Sequence, residues 1–114
     1  MYQLIYISSA THQISKAEFE ELAAHALKKN TEMGITGTLA FKDGNFMQVI
    51  EGEQEAIAHL FAQIKEDSRH TLVSIIQEGS ISAREYGGWI SSFYDSEEGG
   101  MRVCRLNVEG NSRK

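Results

Sequence analysis

The dipeptide Asp43-Gly44 does most to constrain the fold. Apolar segments stand on either side of it, Ile35 to Phe41 and Phe46 to Ile50, and the dipeptide favours a type I′ turn, in which both central residues take positive φ. The two segments therefore form a hairpin. A strand ahead of it, Tyr2 to Ser8, alternates Leu4 and Tyr6 with Ile5 and Ile7; apolar character on both faces suits a central position. Between that strand and the hairpin, Ser15 and Glu18 make a capping-box pattern, and Phe19, Leu22, Ala23, Ala26 and Leu27 recur at helical spacing, with Asn30 and Gly34 as stop signals. After Gly52 a second helical stripe, Ala56, Ile57, Leu60, Phe61 and Ile64, runs out near Asp67-Ser68. Leu72 to Ile76 reads as a fourth strand, and Trp89 to Tyr94, behind Gly87-Gly88, as a fifth.

The order β-α-β-β-α-β-β implies an α+β, ferredoxin-like sheet, because each helix is a crossover that must return right-handed onto the same face. Strands one and three then become central neighbours, which brings the sequence-distant Tyr6 and Gln48 side by side. Periodicity does not say which faces point at the helices. Residues 1–94 form the domain and 95–114 a short extension, in which Ser96 to Gly100 reads as a polar linker and Met101 to Val108 as a short strand or helix.

At 114 residues and 41% hydrophobic composition, the chain suits one compact unit. Eleven basic against sixteen acidic residues give −5, and no basic run exceeds Lys28-Lys29, so nucleic acid is excluded as a partner. The lone Cys104 forbids an internal disulfide, and no run of apolar residues approaches the ~18 of a membrane span; a cytoplasmic location is expected. His12, His25, His59 and His70 are scattered without chelating spacing, so no metal is expected. Glu51, Glu53 and Glu55 read as an acidic helix start, complementing the positive end of the dipole.

Gln48 lies inside the apolar run Phe46-Met47-Gln48-Val49-Ile50. A carboxamide has two donors and two acceptor lone pairs, and burying them unpaired costs roughly 1 to 3 kcal/mol. Neighbouring polar side chains or a bound polar ligand must satisfy it. Tyr6 is the obvious partner, either as a structural pair or as half of a functional one.

Taken together, Leu4-Ile5-Tyr6-Ile7-Ser8, Asn30 with Gly34-Ile35-Thr36-Gly37, Asp43-Gly44 with Phe46-Met47-Gln48-Val49-Ile50-Glu51-Gly52, Asp67-Ser68-Arg69-His70 and Trp89 resemble the BLUF domain, a family of blue-light sensors that use flavin. The resemblance runs from about Tyr2 to Phe93. It implies a flavin, FAD or else FMN, held between the two helices over the face carrying Tyr6 and Gln48. It implies that Tyr6 donates an electron with a coupled proton, that Gln48 changes amide orientation or tautomer, and that the flavin then absorbs further to the red. It places Asn30 at the polar edge of the flavin, Lys29, Asp67 and His70 around its ring, and Trp89 and Ser91 on a signal relay leading from Gln48. Without the resemblance, Asn30 reads as a helix C-cap and Arg69 as the partner of Asp67.

Two positions depart from the family pattern. Lys29 stands where neutral or imidazole side chains are expected, and Ser91 where similar domains commonly carry methionine. The expected function is a photoreceptor without catalytic turnover that signals to a separate, unknown effector protein. The competing reading is a light-insensitive ferredoxin-like ligand-binding domain or small enzyme. A homo-oligomer is expected as well, because Ile5, Ile7, Met47 and Val49 are too apolar for water if they lie on the face without helices; the tail is the other cover.

Overall fold

The computed structural model describes residues 1–95 and 100–104. In chain order the elements are β1 (Tyr2–Ala10), α1 (Lys16–Glu32), β2 (Thr36–Lys42), β3 (Asn45–Gly52), α2 (Gln54–Glu66), β4 (His70–Ser80), β5 (Trp89–Asp95) and β6 (Gly100–Cys104). The strands form one sheet in the order β4-β1-β3-β2-β5-β6. Every neighbouring pair is antiparallel except β2 and β5. The ferredoxin-like order is therefore present, with β1 and β3 central. The last strand settles part of the extension, since Gly100–Cys104 pairs with β5; residues 96–99 of the expected linker and 105–108 of the expected final element lie outside the described residues.

Local chemistry fixes the element ends. Asp43 and Gly44 take φ of 46° and 92°, as a type I′ turn requires. Ser15 caps α1 by accepting from the Glu18 amide at 3.0 Å. The helix runs past Asn30 to Glu32, with Met33 as its C-cap and Gly34 at φ 71°, a left-handed closure that glycine adopts without a Cβ clash. Asn30 is thus not the cap, because the stop signal that decides the boundary is Gly34.

One core holds both helices to one side of the sheet. Phe19 and Ala23 of α1 and Ile57, Leu60 and Phe61 of α2 share a buried cluster with Leu4, Tyr6, Leu39, Phe41, Phe46, Ile50, Trp89 and Phe93. The rings of Phe41 and Phe93 stack with centroids 5.3 Å apart, and Phe19 leans on both. Helix α1 packs on β2 and β5, α2 on β1 and β3, and a cleft is left between them.

The back face is only partly open. Ile7 and Met47 are each 42% exposed, as expected, whereas Val49 is buried and Ile5 half-buried. At its end the connection from β4 to β5 is tied down by Glu51, a fully buried carboxylate that accepts from Gln3 Nε2 at 2.7 Å and from the Glu85 and Tyr86 amides at 3.0 Å each. Arg84 in that connection donates to the carbonyls of Gly34 and Glu51 and to Thr36 Oγ1. Glu51 is therefore a strand residue anchoring a loop and has no part in the start of α2. Glu53 stands at the N-cap without a side-chain cap bond, so of the three acids only Glu55, in the first turn, meets the expectation.

Candidate functional site

Register brings the central pair together. In the β1/β3 ladder Tyr6 stands opposite Gln48, both on the helix side and both buried, and Tyr6 Oη donates to Gln48 Oε1 at 2.5 Å. That bond uses one acceptor of the carboxamide. The Gln48 amide nitrogen has no hydrogen-bond partner among the described residues, and Gln48 lines the cavity between the helices.

The cavity has a volume of about 170 Å³. Tyr6, Leu39, Phe46 and Gln48 form its floor, Leu22, Ala26, Lys29 and Asn30 its α1 wall, and Leu60, Gln63 and Ile64 its α2 wall; Asp67, Arg69 and His70 close one side. Six sequence-identified residues, Tyr6, Lys29, Asn30, Gln48, Asp67 and His70, therefore meet around one space. Asn30 is 2% exposed and its side chain has no hydrogen-bond partner among the described residues. Two buried carboxamides thus present unused polar atoms to an otherwise largely apolar cleft, a donor set that fits the carbonyl- and imide-bearing edge of a flavin ring above an apolar floor.

The electrostatics keep Tyr6 protonated. Burial pushes its phenol well above the ordinary value, and the negative charge of Asp67 adds to the shift. Asp67 itself is held down to about 2, first by the Arg69 side chain and further by the Arg69 amide. The Arg69 guanidinium reaches Asp67 Oδ2 at 2.5 Å, so the pairing read from the sequence is present, and Arg69 lines the cavity besides.

His70 is held at both nitrogens. Its Nε2 meets the Ile64 carbonyl at 2.6 Å, which requires a proton there, so a neutral ring accepts at Nδ1 from Ser8 Oγ at 2.8 Å. The ring stands edge-on to Tyr6 and Phe46. Ser8 and the cavity-lining Gln63 are residues that sequence reasoning missed, although alternation with Tyr6 puts Ser8 on the same face of β1.

Trp89 and Ser91 lie elsewhere. Both are buried on the helix side of β5, and neither lines the cavity. In register Leu39 stands between Ser91 and Gln48, so any relay from Gln48 to β5 crosses β2. The Trp89 indole N–H is buried with no partner among the described residues.

Residues 1–92 match the family described as sensors of blue-light using FAD. A photoactivated adenylate cyclase subunit beta of Euglena longa is 36% identical over 83 residues, 73% of this chain and 10% of that protein. The dark-state structure of BlrB, a BLUF protein, superposes with a TM-score of 0.75 at 28% identity, covering 85% of this chain and 74% of BlrB. Klebsiella pneumoniae BlrP1 with FMN and cyclic diGMP superposes at 0.74 with 32% identity, over 84% of this chain and 26% of that one. The chain thus spans about a tenth of the length of the cyclase subunit. Matched over its first 92 residues by the family and along most of its length by these proteins, the chain belongs to the BLUF family of blue-light sensors.

Proposed function

We propose that this chain is a flavin-binding blue-light receptor in which Tyr6 and Gln48 form the photoactive pair and which signals to a separate effector. The observation that carries the reading is the buried Tyr6–Gln48 hydrogen bond at the floor of the interhelical cavity. Lys29, Asn30, Asp67 and His70, with that pair, would hold the cofactor. FAD is the flavin of the family description, and FMN, bound by the related BlrP1, is the other candidate.

When bound, the flavin supplies a ring that absorbs blue light and accepts an electron. A phenol gives up an electron readily only where its proton has somewhere to go. Tyr6 is kept neutral by burial, and its proton already lies on the 2.5 Å path to Gln48 Oε1. Gln48 presents C=O on one side and NH₂ on the other, so turning the amide or changing its tautomer exchanges donor for acceptor at a fixed position. The rearranged amide offers the cofactor one more hydrogen bond, the origin of a modest red shift. The change then passes through Leu39 to Ser91 and Trp89.

No substrate is turned over in this reading. Residues 1–94 are the sensor, and 95–114 are an extension that adds β6 to the sheet. The protein works in the cytoplasm as a homo-oligomer; among the described residues no helix is long and apolar enough to cross a membrane.

Two measurements test the reading. Purified protein supplied with FAD is expected to be yellow and to show a flavin band that blue light moves reversibly to the red. A colourless preparation after FAD is added defeats it and favours the light-insensitive binding domain. Asn30→Ala is expected to weaken flavin retention about tenfold, the equivalent of one lost hydrogen bond of ~1.4 kcal/mol. Retention equal to the parent, measured by equilibrium dialysis, would remove Asn30 from the binding set.

A further inference from the structure

We propose that two copies of this chain pair edge to edge through β4, antiparallel, about a two-fold axis at Ser74. This deepens the self-association proposed above and takes nothing from the flavin reading. Among the described residues strand β4 ends the sheet and pairs only with β1, which leaves one row of its backbone donors and acceptors without a neighbouring strand there. Proteins usually blunt such an edge with charge, proline or a bulge that twists it away, and of these β4 has chiefly the bulges. Here eleven residues contain only two ionisable side chains, His70 and Glu78, while Leu72, Ile75 and Ile76 are 75%, 42% and 56% exposed.

The strand is also close to a palindrome in chemical class. Outward from Ser74 the residues run Val73 and Ile75, Leu72 and Ile76, Thr71 and Gln77, His70 and Glu78. A two-fold antiparallel ladder sets residue i against j and j against i, so a register centred on Ser74 places the members of each of those pairs opposite each other.

The faces agree as well. Thr71 and Gln77 stand opposite Ser9 and Ile5 of β1, on the back face, whereas Ile75 stands opposite Tyr6 and Val73 packs against the core, both on the helix side. Leu72 and Ile76 share a further property. The β1/β4 register slips twice, once at Ile76 and once in the two residues opposite Ser8, of which Leu72 takes a φ of 55°. The two most exposed apolar residues of the strand are therefore both bulge residues, and this register sets one against the other. Of the two ionisable residues only Glu78 is an acid, and it meets His70 and not its own copy, so no like charges oppose.

Sedimentation equilibrium at concentrations up to about 500 μM, enough to populate even a dimer with a Kd of ~0.1 mM, is expected to give twice the chain mass. In a Cys104→Ser background, Ser74→Cys is expected to form a disulfide-linked dimer under mild oxidation, because that residue meets its own copy. Met47→Cys, on the open back face, is expected not to. Leu72→Asp should return the mass to one chain with an unchanged circular dichroism spectrum, and if it does not fold, Ile76→Asp carries the same expectation. A monomeric parent, cross-linking at Met47 without cross-linking at Ser74, or a dimer that survives the folded aspartate variant would each overturn the proposal.

Discussion

Tyr6→Phe is expected to leave flavin bound and to abolish the light-induced red shift entirely. The substitution removes one oxygen and keeps the ring, so the contact with Phe61, at 5.7 Å between centroids, survives and the cavity floor keeps its shape. Lost is the only hydrogen bond that Gln48 Oε1 makes among the described residues. A buried acceptor left without its donor costs roughly 1 to 3 kcal/mol, offset in the loaded protein by whatever the cofactor returns. The variant should therefore bind FAD with an absorption spectrum close to the parent's, melt a few degrees lower, and give a flat light-minus-dark difference spectrum. Gln48→Leu should reach the same end from the other side, keeping the phenol but removing the group that accepts its proton. A normal shift in either variant defeats the relay, since the mechanism has no second route for the proton. The dark spectra guard the interpretation: a variant that has lost its flavin tests binding only.

The parts of this site that could be read from the sequence are those that obey a period. Tyr6 and Gln48 meet because two strands alternate and the hairpin turn fixes one of them, and both facts lie within short windows. Asn30 lines the cavity between the helices, while its local reading as a cap failed, because a helix ends where a left-handed residue is available and Gly34 supplies it four positions later. Glu51 could not be read. Two of its three donors are the backbone amides of Glu85 and Tyr86, which carry no side-chain signature, and its period-two spacing with Glu53 and Glu55 crosses a strand–helix boundary. Ser8 was within reach through alternation, but its partner His70 lies 62 positions away. Their contact depends on where β4 begins, and the apolar run marked only its middle, Leu72 to Ile76, where the strand spans His70–Ser80.

Gly37→Ala is expected to destabilise the protein by more than about 3 kcal/mol and lower its Tm by more than about 12 °C. Gly37 sits in β2 opposite Ile50 on one side and Trp89 on the other, with φ of 154°. A Cβ built there would lie 1.8 Å from the Val49 carbonyl oxygen and 2.8 Å from its carbon, both backbone atoms of a central strand, so no side-chain rotation relieves the clash. Only a separation of β2 from β3 does. Gly44→Ala is the natural control, because Gly44 also has positive φ, at 92°, yet nothing lies within 4 Å of its Cβ position. That change should cost only the left-handed conformation, about 1 to 2 kcal/mol. The difference between the two variants in urea denaturation isolates the close approach from the backbone preference, and equal costs would show that β2 can move aside. Such movement would matter to function, because Leu39, two residues along β2, is the residue between Gln48 and Ser91. Gly37→Ala protein that still folds is therefore also expected to lose flavin faster than Gly44→Ala protein, since the strand that shifts carries part of the cavity floor.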